Sequence, residues 1–256
     1  MRPVDGVGET PALPGKGPYR TVPWKIQGET MWRERPFWQD ILKEIIEWRT
    51  LELREEIPKP RPETRRALRS LLAHPFFSPH ARTVEAALWD PYFPLGMIRR
   101  TILADVTGMR FFINKTRPDI QEALSLQVAA AADLFLEAKR DLVRVADPKT
   151  VTCVPLDGRL HPLPSGGWCR LCGTCCQIGG VQAEPPPGVG YPPRWVAMIE
   201  GSAHPHQQLC PFLFQYFGRD IYFCAIHRIK PRACAGFGPE DCARCRTDIA
   251  LHERDP

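Results

Sequence analysis

The sequence predicts a mainly α protein, in which a helical N-terminal region is followed by a small, irregular, cysteine-rich α+β lobe. Three observations predict it. Between about residues 30 and 148, apolar residues recur at helical spacing. That periodicity stops at Asp147-Pro148. Beyond it glycine and proline become frequent, and nine of the ten cysteines fall between positions 169 and 245. The expected organisation is an extended Pro/Gly-rich arm over residues 1–29, a helical domain over 30–148, and a cysteine-cluster domain over 149–256.

The arm, with Tyr19 and Trp24 as its large side chains, has too much proline and glycine to pack on its own. In the helical region, Trp38, Ile41, Leu42, Ile45 and Trp48 form one stripe. Pro58, Pro60 and Pro62 stop that helix and introduce another, with Leu68, Leu71 and Leu72 on one face. Shorter helices are expected near Thr83 to Trp89 and Leu95 to Ala104, with Gly108 closing the second. The clearest helix runs from Pro118 to about Val145. Pro118 and Asp119 suit its first turn, and Lys139, Arg140 and Arg144 suit its negative end. Ile120, Leu124, Val128, Ala131, Phe135, Ala138, Leu142 and Val145 make its continuous apolar stripe. Val151 to Leu163, centred on Asp157-Gly158, reads as a β-hairpin. A helix is expected at Pro193 to Glu200 and a strand at Asp220 to Ile226.

Composition narrows the class. The 256 residues are 43% hydrophobic and 25% charged, enough to bury a core. The 28 prolines are about twice the usual share of roughly 5% and predict much irregular backbone. The N-terminus has no apolar core of signal-peptide type. The longest apolar stretch, Ala123 to Ala138, is interrupted by Gln127 and Asp133, so no membrane span is expected. A cytoplasmic location follows as the expectation, and there clustered cysteines serve as ligands more often than as disulfides. The net charge of +5 is spread thinly: from Val151 onward ten Lys and Arg face nine Asp and Glu. That balance does not suggest nucleic-acid binding.

The cysteines carry the functional signal. The run Cys169-Arg-Leu-Cys172-Gly-Thr-Cys175-Cys176 twice places two residues between cysteines, a spacing that turns both sulfurs toward one ion across a tight loop. Gly173 supplies the permissive backbone such a turn needs. Further sulfurs arrive from distant sequence: Cys210 followed by Pro211, Cys224 at the end of an apolar strand, Cys234, and the pair Cys242 and Cys245. All nine are candidate metal ligands. Closing a site from such separated segments staples a lobe with little periodic apolar content, and structural zinc can contribute on the order of 10 kcal/mol of folding free energy. Tetrahedral zinc and a [4Fe–4S] cluster each take four ligands. Seven cysteines exceed one site, and nine suffice for two with one to spare. Adjacent Cys175 and Cys176 diverge, so they serve different metals or one is a bystander. Arg170, Arg228, Lys230 and Arg232 stand near the sulfurs in sequence and can offset thiolate charge. Cys153 reads as a small buried residue; His204, His206 and His227 are secondary candidates.

With those residues in view, the segment from about 166 to 238 resembles the CxxCxxCC cysteine-cluster family, described as zinc- or iron-chelating. Four elements carry the resemblance in order: Cys169 to Cys176; Cys210-Pro-Phe-Leu213; Cys224-Ala-Ile-His227; and Lys230-Pro-Arg-Ala-Cys234 with Phe237. His227 stands where the family usually has Tyr, and Lys230 where it has Arg, so the planar two-pronged contact of arginine is absent there. The resemblance implies metal binding without specifying the metal or a reaction.

The expected function is a metal-binding redox or accessory protein that works with a protein partner or within a larger redox complex. An iron–sulfur cluster, [4Fe–4S] by ligand count, is favoured, since Cys169-x-x-Cys172-x-x-Cys175 with a later Cys-Pro follows the ferredoxin arrangement. The alternatives are a structural Zn2+ interaction module and a metal-handling or maturation factor. No phosphate loop, nucleophile elbow or paired carboxylate accompanies the cysteines, so an enzymatic role has no support from sequence.

Overall fold

The longest helix forms where the apolar stripe is longest. The computed structural model describes residues 62–73, 78–98, 100, 118–144, 146–162, 171–173, 181–241 and 243. Its elements are α1 (Pro62–Leu72), a 3-10 turn (Ser78–His80) leading into α2 (Ala81–Trp89), α3 (Pro118–Arg144), α4 (Pro148–Val151), α5 (Pro193–Glu200), β1 (Leu213–Gln215), β2 (Tyr222–Cys224), a second 3-10 turn (His227–Ile229) and α6 (Arg232–Ala235). About half of the described residues are helical, and β1 and β2 form a two-stranded antiparallel sheet. A further helical turn covers residues 95–98. None of these helices is long and apolar enough to cross a membrane.

The core starts at the α2–α3 pair. Val84, Ala87 and Leu88 of α2 face the stripe of α3, where Val128, Phe135, Ala138 and Leu142 are buried as the periodicity requires. Small residues at Ala129 and Ala132 let other elements approach α3 closely. Aromatic rings then connect α3 to the sheet: Phe135 lies 4.8 Å from Phe214 and 5.1 Å from Phe93, and Tyr92 meets Phe217 edge-on at 5.2 Å. Such contacts add about 0.5–1.5 kcal/mol each beyond burial. Residues from Leu68 to Ile226 therefore share one apolar core.

Polar contacts fix the register of this packing. Gln215 Nε2 donates to the Arg219 carbonyl at 2.9 Å, and its Oε1 accepts from Gly96 N–H at 3.1 Å. The Gln215 N–H donates to the Tyr92 carbonyl at 2.8 Å. Asp141, buried on α3, accepts from Trp195 Nε1 at 3.0 Å and from Arg194, which pins α5 to α3. Replacing Asp141 with Leu leaves the buried indole N–H without its acceptor. The expected cost is about 1–3 kcal/mol, read as a lower urea midpoint at unchanged m-value.

One expectation meets a different backbone. The hairpin over Val151 to Leu163 is not formed: residues 152–162 contain no strand. Asp147 instead caps α4, accepting from Lys149 N–H, with Pro148 at the first helical position. Downstream, Pro155 and Pro162 offer no N–H for a ladder. The Asp157-Gly158 turn itself exists, with Gly158 at φ 80° and Asp157 accepting from Arg159 N–H and facing His161, but no strands flank it. Lys139, near the end of α3, pairs with Asp90 and lies 5.2 Å from the Tyr92 ring centre. The helices at Pro118 and Pro193 and the strand within Asp220 to Ile226 form as expected. The arm, the Trp38–Trp48 stripe and Gly108 lie outside the described residues.

Candidate metal centre

Two short turns, stacked through the sheet, present cysteines to one place. In the first, Cys210-Pro-Phe-Leu213 bends so that Leu213 N–H donates to the Cys210 carbonyl at 3.0 Å, and the N–H groups of Phe212 and Leu213 point at the Cys210 sulfur. In the second, the Ile226 N–H points at the Cys224 sulfur. In each turn the N–H two residues onward thus opposes the rise of the thiol. Leu213 pairs with Cys224 in the antiparallel register, and Ala225 N–H donates to the Phe212 carbonyl at 2.7 Å, so the two turns are locked together. A backbone N–H facing sulfur favours the thiolate, the form that binds metal.

Cys234 enters from α6, behind the second 3-10 turn. Its sulfur lies within electrostatic reach of both Cys210 and Cys224. Burial pushes the Cys210 thiol up to about 12, with Cys234 adding to the rise and the two N–H groups opposing it. The Cys224 thiol is raised further by burial and then by Cys210 and Cys234, while the Ile226 N–H and Lys230 oppose the rise. Burial and neighbouring sulfur thus favour the neutral form of Cys210 and Cys224, and a bound cation would favour the thiolate.

The CxxC loop is anchored on the same strand. Tyr222 N–H, two residues before Cys224, donates to the Leu171 carbonyl at 2.6 Å. Leu171 takes φ 56° and Gly173 φ 74°, which reverses the chain around Cys172. Gly173 is required by space as well as by φ: a Cβ there would stand 2.8 Å from both the Met97 Cε and the Tyr222 Cβ.

Cys153, Cys172, Cys210, Cys224 and Cys234 are thiols, not disulfides. Of these, Cys210, Cys224 and Cys234 converge, Cys172 is tied to their strand through Leu171, and Cys153 packs against the apolar core. Cys169, Cys175, Cys176, Cys242 and Cys245 lie outside the described residues. Among the described residues no group of three or more His, Cys, Asp or Glu side chains stands where it could hold a metal ion. Cys210, Cys224 and Cys234 influence one another electrostatically without making up such a group.

The basic residues separate by role. Lys230 faces the Cys224 sulfur. Arg228 instead donates to the Lys149 carbonyl at 2.9 Å, tying the second 3-10 turn to α4, and Arg232 pairs with Glu184 at 2.8 Å. Burial, then Lys230 and Arg228, hold the His227 imidazole below its usual range, which keeps it neutral. His204 and His206 sit together on a loop, ring centres 5.8 Å apart.

One residue at the site has no cysteine motif to announce it. Tyr191 lies within electrostatic reach of Cys224, Cys234 and Cys210; its phenol, raised by burial and then by those three sulfurs, donates to the Ile229 carbonyl. The only sequence signal was its setting in Tyr191-Pro-Pro-Arg-Trp195, at the start of a predicted helix. No family model, curated protein or solved structure matches the chain.

Proposed function

We propose that this protein binds a metal through its cysteine cluster and serves as a redox or accessory component alongside a protein partner, with an iron–sulfur cluster as the favoured cargo. The reading is supported by the electrostatic coupling of Cys210, Cys224 and Cys234, which come from three separate segments, with backbone N–H groups favouring the thiolates of two of them. Cys210, Cys224 and Cys234 would supply part of the ligand set, and the loop carrying Cys169, Cys172, Cys175 and Cys176 would complete it. Cys242 and Cys245 are the reserve pair. The resemblance to the CxxCxxCC family supports the same reading. When bound, an iron–sulfur cluster supplies one-electron chemistry. The protein's own part is to hold the sulfurs, screen their charge with Lys230 and direct hydrogen bonds at them, which tunes a bound centre.

A second reading is favoured by the same turns. N–H groups aimed at sulfur, from short turns locked back to back, suit a closed structural Zn2+ site equally well. Anaerobic purification of the full chain, with iron, acid-labile sulfide and zinc quantified beside the visible absorption spectrum, separates the two. A brown protein carrying iron and sulfide together is the expected result. A colourless protein with stoichiometric zinc selects the structural site, zinc that a chelator removes without unfolding selects a metal-handling role, and a protein with neither metal defeats all three.

A further inference from the structure

We propose that the proline-rich segment 184–192 is a strap that holds the Cys234 limb against Cys210 and Cys224, with Tyr191 as its latching residue and Glu184 as its second anchor. The proposal rests on the metal-centre reading for its purpose, but its geometry stands without any metal.

The Cys234 limb is held from one side by Arg228, which donates to the Lys149 carbonyl of α4, and by Ile229, which packs on the apolar core. The second 3-10 turn and α6 are each a single turn, and neither contains a buried residue. Cys210 and Cys224 are different, because the sheet register and the Phe212–Ala225 bond fix them. The strap holds the limb from its other side. Arg232 N–H donates to the Glu184 carbonyl at 2.9 Å, and the Arg232 guanidinium meets the Glu184 carboxylate at 2.8 Å. At the other end, the Tyr191 hydroxyl donates to the Ile229 carbonyl. The two anchors bracket residues 229–232, immediately before Cys234.

The strap is built to be stiff and is itself tied down. Pro185, Pro186, Pro187 and Pro192 fix φ along it, and a turn closes at Val189 N–H to the Pro186 carbonyl, 3.1 Å. Behind it, Ala183 N–H reaches Glu200 of α5 at 3.4 Å, and Tyr191 packs on Trp195 with ring centres 6.2 Å apart. Trp195 is buried and bonded to Asp141. The latch is therefore mounted on α5 and, through Asp141, on α3. Tyr191 is a positioning residue: it acts on Cys234 through the Ile229 carbonyl, while its phenol stays close to all three sulfurs.

Tyr191→Phe removes the latching hydroxyl and leaves the ring on Trp195. The test is residue-resolved alkylation by iodoacetamide of the full chain as purified, read by mass spectrometry at each cysteine. Cys234 is expected to react about fivefold faster in Y191F, the factor that corresponds to losing about 1 kcal/mol of net hydrogen-bond stabilisation, while Cys153 reacts as in wild type. Glu184→Gln, which weakens the other anchor and leaves Tyr191 intact, is expected to expose Cys234 selectively as well, so the test survives poor folding of either variant. An unchanged Cys234 rate in both variants overturns the strap, as does an equal rise at every cysteine, which signals general loosening. Selective exposure of Cys234 in a wild-type background that retains no metal keeps the strap and removes the metal centre. Stoichiometric wild-type metal with no selective exposure does the reverse.

Discussion

Cys224→Ala is expected to leave the purified protein without tightly held metal. Cys224 ends β2, pairs with Leu213 in register and stands within electrostatic reach of both Cys210 and Cys234, with the Ile226 N–H favouring its thiolate. Of the two convergent cysteines on the sheet side, Cys224 is the one that ends a strand. Removing its sulfur leaves Cys210 and Cys234 facing each other without the member that links sheet to limb. Metal analysis after desalting should fall from stoichiometric to background. Cys153→Ala serves as the matched control, since Cys153 packs on the apolar core and is no candidate ligand; it should retain wild-type metal. Wild-type retention in Cys224→Ala would defeat the assignment.

The second large effect is expected at Gly173→Ala, where no sulfur is touched. The residue sits at φ 74°, and the added Cβ would stand 2.8 Å from the Met97 Cε and the Tyr222 Cβ. The left-handed backbone penalises any side chain, and overpacking against a buried ring costs about 1–3 kcal/mol more. Met97 is unbranched and can shift, whereas Tyr222 is held in the sheet by its pairing with Gln215. The loop must then move off β2, breaking the Tyr222 N–H to Leu171 bond. We expect a loss of about 2–5 kcal/mol in urea unfolding, together with reduced metal content. Metal content that stayed at the wild-type level would show that the CxxC loop contributes no ligand.

Both predictions draw on features that the sequence displayed unevenly. The 27-residue helix Pro118–Arg144 was legible because its stripe repeats for many turns and Arg144 falls in its last turn. β2 was legible as a short apolar run. β1 was not, because Phe212 to Phe217 is buried without a break and so lacks the alternation that marks a strand with one wet face. The false hairpin at 151–163 arose from a genuine Asp-Gly turn whose flanks were already committed elsewhere. Asp147 and Pro148 had started a helix, and the flanking prolines lacked ladder donors. Glycine at 173 was expected from local turn chemistry, and its crowding by Met97 and Tyr222 adds a tertiary reason that spacing alone does not contain. The candidate ligands could be named from spacing, but the pairing of Cys210 and Cys224 through their turns came only with the register of the sheet. Tyr191 was invisible for the same reason. Its importance depends on a hydrogen bond to a carbonyl 38 residues away, which no local pattern encodes.

The central claim is that separated thiolates share one inorganic centre. X-ray absorption at the metal edge of the anaerobically purified full chain tests it most directly. The account predicts stoichiometric metal with a first shell made of sulfur, at about 2.3 Å if the metal is zinc. A first shell of oxygen and nitrogen, or a protein with no bound metal and all ten cysteines chemically accessible, would contradict it.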